Sequence, residues 1–167
     1  MVIFLLIILN IIRKIDKQGR NMSTIKEFLT MDHGNCDELF ANMEDAAAKS
    51  IESAKEAYEA FANATERHFQ MEERVMFLEF EQKTGMTQGP TAIMRHEHAQ
   101  MRNLLAEMAK AIEAKDKDKF FGNSETLMIL MQQHNMKEEQ MLYTMAQQHL
   151  SAESDRIVDM MHSMIVE

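Results

Sequence analysis

Two short segments of this chain repeat one another, and that repeat restricts the fold more than any other feature. His68-Phe69-Gln70-Met71-Glu72-Glu73 is answered by His134-Asn135-Met136-Lys137-Glu138-Glu139, and the echo runs on, with Arg74-Val75-Met76-Phe77 against Gln140-Met141-Leu142-Tyr143. In each copy a His precedes a Glu by four residues. On a helix, positions i and i+4 lie one above the other on the same face, so each segment aims an imidazole and a carboxylate at one point. The apolar residues that frame both pairs put that point inside the protein.

Helix is favoured almost throughout. The 167 residues include one proline and five glycines, and β-branched runs are scarce after the first dozen positions. With 46% apolar residues, the chain can build one domain with its own core and is too short for two comfortable ones. A formal charge of −9 without any basic cluster argues against nucleic acid as a partner and favours small molecules and ions. The single cysteine, Cys36, cannot form an internal disulfide and suits a reducing, cytoplasmic compartment.

Residues 1–22 read as an apolar extension ahead of a domain at 23–167. The run from Met1 to Ile12 ends at Arg13-Lys14; it is too short to span a bilayer and lacks the basic start and small-residue cleavage site of a secretory signal. A true start at Met22 is the preferred explanation, and a peripheral membrane anchor the other. Membrane association is expected only if the run is genuine.

Periodicity divides the rest into helices. Thr30 is the expected N-cap and Asp32 the first-turn acid of a helix from about Met31 into Asp45–Ala48, with His33, Cys36, Phe40 and Met43 on one face. After a break near Ser50 to Ser53, a long second helix carries Ala57, Phe61, Thr65, His68, Glu72 and Val75 and ends at Gly85. Pro90 opens a third helix with the stripe Met94, His98, Met101, Leu105, Met108 and Ile112. Lys115–Lys119 reads as a solvated turn. A fourth helix beginning near Phe120 to Ser124 carries Leu127, Met131, His134, Glu138, Met141 and Met145, and Ser151 caps a short fifth. The expected architecture is all-α: an antiparallel up-down-up-down four-helix bundle with a short C-terminal helix.

His33, His68, His98 and His134 fall one per helix on the apolar stripes, separated by 35, 30 and 36 residues, and antiparallel packing brings all four to one level. Any one alone reads best as a hydrogen-bonded core histidine. Four in one layer with Glu72 and Glu138 read differently, because a carboxylate is almost never fully buried unless paired or bound to a cation. Six such side chains exceed a structural zinc site, and no thiolate cluster is present. Mixed imidazole and carboxylate suits iron or manganese, and carboxylates on two helices can bridge a pair of ions. The ferritin-like order is Glu-x-x-His, so that site is the poorer match.

Asp32-His33 with Cys36-Asp37-Glu38-Leu39-Phe40, His68 with Glu72-Glu73, Glu97-His98, and His134 with Glu138-Glu139 resemble the bacterial hemerythrin-like (HHE cation-binding) domain over about residues 25 to 146. The resemblance implies a four-helix bundle around a non-haem di-iron centre, oxo- or hydroxo-bridged, that binds dioxygen, nitric oxide or related small oxidants such as peroxide. Carried over residue by residue, it makes His33, His68, Glu72, His98, His134 and Glu138 the ligands, with Glu72 and Glu138 bridging. Glu73 and Glu139 lie about 100° around their helices and are not expected to touch metal.

Two departures separate the chain from the oxygen carriers of that family. They carry two histidines four apart on the third helix, where this chain has Met94 and Arg102 on either side of His98, and they end the last motif with Asp at a spacing of five. Both differences resemble the branch that includes iron–sulfur cluster repair proteins, so an enzyme or iron donor in oxidative or nitrosative stress is the alternative to sensing, scavenging or storage. A structural helical interaction module is the third possibility. Ligand counting leaves roughly two positions open on two octahedral irons, and Glu44 is the candidate to close one. His96 reads as a surface residue, and His149 lies about 22 Å along the helix from His134. Met94, Met101, Met131 and Met141 are expected beside the site as core filling, and Cys36 as a buried thiol without a base to activate it.

Overall fold

The computed structural model describes Lys14–Ile15, Asn21–Met22 and residues 24–164. Apart from the antiparallel pairing of those two-residue segments, the apolar extension of residues 1–22 lies outside the described residues. Among the described residues, everything from Ile25 onward is built from helices and short connections.

Helix α1 (Ile25–Lys49) starts six residues before the expected position. Thr24 Oγ1 accepts from the Glu27 amide at 3.1 Å, and the Glu27 carboxylate accepts from the Thr24 amide at 3.0 Å, a reciprocal cap that satisfies two amides the first turn cannot. Ile25, Phe28 and Leu29 are buried by this extension. Asp32 is therefore well inside the helix and not a first-turn acid. Ser50 ends α1 with an extended backbone, and α2 (Ala54–Met71) follows. A π-helical turn (Glu72–Met76) leads without a break in helical dihedrals into α3 (Phe77–Thr84), which stops at Gly85 with φ +74°.

Pro90 is the first residue of α4 (Pro90–Glu113). Helix α5 (Lys117–Lys137) begins inside the charged run read as a turn, because the Asp116 side chain accepts from the Lys119 amide at 3.0 Å. A second π-helical turn (Glu138–Leu142) joins α5 to α6 (Tyr143–His149), and a 3-10 turn (Ser151–Glu153) precedes α7 (Ser154–His162). Ser151 thus opens the 3-10 turn three residues ahead of the last helix. In a π-helical turn each amide reaches back five residues, which inserts one extra residue and rotates whatever follows. For this reason Met141, expected on the core stripe, is 45% exposed, while Leu142, Tyr143 and Ala146 are buried in its place.

Helix α1 packs chiefly along α2 and α4 along α5, with further contacts between α2 and α4 and between α1 and α5. The apolar core is in two parts. One holds Phe40, Met43, Phe61, Met101, Met108, Phe120 and Leu127. The other holds Ile25, Leu29, Met76, Phe77, Phe80, Leu142, Tyr143 and the α7 residues Ile157 and Met161. Between the two parts, where α1, α2, α4 and α5 meet, the sequence places its histidines. Among the described residues no helix is long and apolar enough to cross a membrane.

Candidate metal centre

His33, His68, His98, His134, Glu72 and Glu138 converge in one layer, and none of the six is more than 3% exposed. They form two groups that share Glu138. Glu72, His98, His134 and Glu138 make one and His33, His68 and Glu138 the other, each with donor atoms within 4.8 Å of one another. His98 Nε2 and His134 Nε2 are 3.1 Å apart, and the His33 and His68 rings lie 4.6 Å apart between centroids. Glu138 Oε2 is 3.3 Å from His33 Nε2 and 3.2 Å from His134 Nε2. Glu72 Oε2 is 3.5 Å from His68 Nε2 and 3.2 Å from His98 Nε2. Each carboxylate therefore spans one histidine of each pair.

The opposite ring nitrogen of every histidine is held by a carboxylate of a neighbouring helix. His68 Nδ1 donates to Asp32 on α1 at 3.0 Å, and His98 Nδ1 to Glu73 of the first π-helical turn at 2.8 Å. His134 Nδ1 donates to Glu97 on α4 at 2.9 Å, and His33 Nδ1 to Glu139 of the second π-helical turn at 2.8 Å. The pattern closes on itself, each helical segment supplying the acid for the next one's imidazole. With the proton fixed on Nδ1, every Nε2 is left to face inward, the arrangement that orients metal-bound histidines and raises their basicity.

A further layer of cations holds three of these acids, Glu73, Asp32 and Glu97. Arg102 binds Glu73 at 2.8 and 3.1 Å and Glu66 at 2.7 and 3.0 Å, with its guanidinium over the Phe69 ring. Arg67 pairs with Asp32 at 3.4 Å, and Lys137 with Glu97. Arg102 stands four residues after His98 and anchors the acid that holds that histidine. Phe69 and Phe77 stack on His98 at interplanar angles of 19° and 13°, which restricts the ring further.

Burial opposes charge on the imidazoles, but the enclosed carboxylates outweigh it and hold His33 and His98 up at about 9. His134 is raised for the same reason, with Glu138 the main source. Burial would raise Glu138, yet His134 and His33 keep its carboxyl well below the ordinary range. Glu73, raised by burial and lowered more by His98 and Arg102, sits at about 2.

The donor set also fits metal ions. Glu138 Oε1 is buried and accepts no hydrogen bond, and Glu72 Oε2 meets its histidine neighbours without hydrogen-bond geometry, a costly arrangement unless the oxygens have another partner. Inward Nε2 atoms and two carboxylates shared between histidine pairs provide the imidazole and oxygen donors that transition-metal ions accept.

Two residues differ from expectation. Glu44 is not at the layer: its carboxylate accepts from Ser124 at 2.7 Å, deeper in the Phe61 half of the bundle. In the layer, instead, is Tyr143, fully buried. Its hydroxyl donates to Glu72 at 2.7 Å or Glu138 at 2.9 Å, and burial beside those carboxylates raises the phenol well above its usual value. The sequence signal for Tyr143 is its pairing with Phe77 in the internal repeat, and the signal for Glu73 and Glu139 is the doubling of each acid. Met94, Met101 and Met131 are buried. Cys36 is buried and its thiol pushed up to about 12, mostly by burial and then by Asp32. His96 faces Gln100 at the surface, and His149 lies edge-on to Phe80, away from the layer.

No curated protein and no solved structure matches the chain. The family model described as hemerythrin HHE cation binding domain matches residues 24–146, a span that includes the four histidines of the layer, Glu72 and Glu138, the four buttressing acids and Tyr143. The chain belongs to the hemerythrin HHE cation-binding family.

Proposed function

We propose that this is a cytoplasmic non-haem di-iron protein that binds dioxygen, nitric oxide or a related small oxidant such as peroxide, in sensing, scavenging or storage. The observation that carries this reading is the closed ring of four Nδ1-to-carboxylate hydrogen bonds, which leaves four Nε2 atoms facing two buried carboxylates. His33, His68, Glu72, His98, His134 and Glu138 are the proposed ligands, with Glu72 and Glu138 bridging. A domain at residues 23–167 with an up-down-up-down helix order goes with it, supported by the short connections between α1 and α2 and between α4 and α5.

The six proposed ligands would hold an iron pair, which would supply the electrons and binding position that a small oxidant takes up. The chain's own residues do the rest. Asp32, Glu73, Glu97 and Glu139 hold protons on Nδ1 and so keep the Nε2 lone pairs available. The apolar cores on either side of the layer exclude water. Metal analysis combined with the visible spectrum tests the reading. Two irons per chain and a spectrum that changes with oxygen, nitric oxide or azide are expected; iron-replete protein that holds no metal would refute it.

A further inference from the structure

Tyr143 stands beside the His33–His68 pair, where Glu138 and, at 3.5 Å from His68 Nε2, Glu72 supply the carboxylate oxygens. Its hydroxyl oxygen is 3.0 Å from His33 Nε2, 3.5 Å from His68 Nε2, 2.9 Å from Glu138 Oε2 and 2.7 Å from Glu72 Oε1. Two donors bound at right angles to one ion at about 2.1 Å are themselves about 3 Å apart, which is the spacing of the phenol oxygen from three of these four atoms.

Hydrogen bonding alone serves this oxygen poorly. A hydroxyl has one proton to give, so it can satisfy only one of the two carboxylates. Once the His33 and His68 Nε2 lone pairs face a cation, neither ring can donate to the phenol. The repeat supplies an internal comparison. Phe77, the counterpart of Tyr143, lies against His98 and carries no hydroxyl. Of the two equivalent positions, the one beside His33 and His68 carries the oxygen.

We propose that Tyr143 is a further metal ligand, its phenol oxygen bound to the ion that His33 and His68 hold, an inference that rests on the di-iron reading above. On binding, the O–H bond is replaced by an oxygen–metal bond and the proton leaves to solvent. No electron is transferred. The loaded protein therefore releases one proton more than a site of six ligands would, and its ferric form has a phenolate donor.

The test is resonance Raman and visible spectroscopy on the ferric, two-iron protein, as wild type and as Tyr143→Phe. Wild type is expected to show a phenolate-to-iron charge-transfer band whose excitation enhances tyrosine ring vibrations. Tyr143→Phe, which repeats the side chain already tolerated at Phe77, is expected to lose both. Two bound irons without tyrosine modes in wild type overturn the proposal while leaving the di-iron reading intact, as does a band that survives in Tyr143→Phe. Failure of wild type to bind iron refutes the di-iron reading and the proposal together. The wild-type spectrum decides the matter even if the variant folds poorly.

Discussion

Replacing Glu73 by Ala isolates the role of the acid ring, because Glu73 touches His98 and Arg102 but is not itself among the inward-facing donors. His98 is fully buried, so the lost carboxylate leaves its Nδ1–H without a partner, at a cost of about 1–3 kcal/mol. Freed from its acid, the ring can also exchange its proton between nitrogens and turn, which lowers its worth as a ligand. Loss of a residue of this kind typically weakens metal binding roughly 10- to 100-fold, or about 1.4–2.8 kcal/mol. Glu66→Ala is the matched control. It removes the other carboxylate of the same Arg102 and, as a part-exposed ion pair, is worth at most about 1 kcal/mol, without any contact to a histidine. Competition against a chelator of known affinity, with the metal counted per chain, reads the difference. If Glu73→Ala and Glu66→Ala bind metal equally well, the acid ring does not position the histidines.

Glu139→Ala should weaken metal binding less than Glu73→Ala in the same assay, because the Glu139 side chain is 36% exposed and water can replace it on His33 Nδ1. The pH dependence follows from the raised histidines: metal-free His33 and His98 keep their protons until about pH 9, and the stability this gives the metal-free form is complete below pH 6.5 and gone above 9. Metal must displace those protons, so these two histidines alone should raise apparent affinity roughly a hundredfold per pH unit across that window, about tenfold each, and a bound Tyr143 phenolate adds about a further tenfold; calorimetry in buffers of different ionisation enthalpy that finds no proton release refutes it. Adding iron should raise the melting temperature of the wild type by mass action and leave that of Glu138→Ala unmoved, as a thermal scan would show. Gly85→Ala should cost about 1 kcal/mol in denaturant unfolding without changing metal affinity, since φ is +74° while a Cβ there meets nothing within 4 Å.

The layer was legible because i, i+4 spacing is a property of sequence alone. His68 with Glu72 and His134 with Glu138 had to share faces on any helix, and one histidine on each of four amphipathic stripes had to meet in the middle. Helix starts were less legible. Thr24 and Glu27 cap α1 through a reciprocal pair, yet Thr30 followed by Asp32 offers a similar local pattern, and only the burial of Ile25, Phe28 and Leu29 chooses between them. Asp116 was hidden in a charged run whose alternation suggests solvent, although its side chain alone is enough to start α5. Glu44 shows the limit of helical phase as a guide: nearly in register with His33, it is three turns away along the axis, and that distance gives it to Ser124.

The features that strict α-helical phase cannot supply all lie at or after the shared glutamates. Both π-helical turns begin there, at Glu72 and Glu138, so each His–Glu pair keeps α-helical register while the following residues are rotated by the extra residue. In the first turn the rotation carries Phe77 over His98, and in the second it carries Tyr143 beside His33. It also leaves Met141 at the surface. A turn of this kind gives weaker backbone bonding than the α-helix it interrupts, and its recurrence at equivalent places in the two halves follows from one requirement. A four-residue spacing must present imidazole and carboxylate together, and the next side chain inward must close over them; with 3.6 residues per turn, an unbroken α-helix sets the fifth residue well off that face.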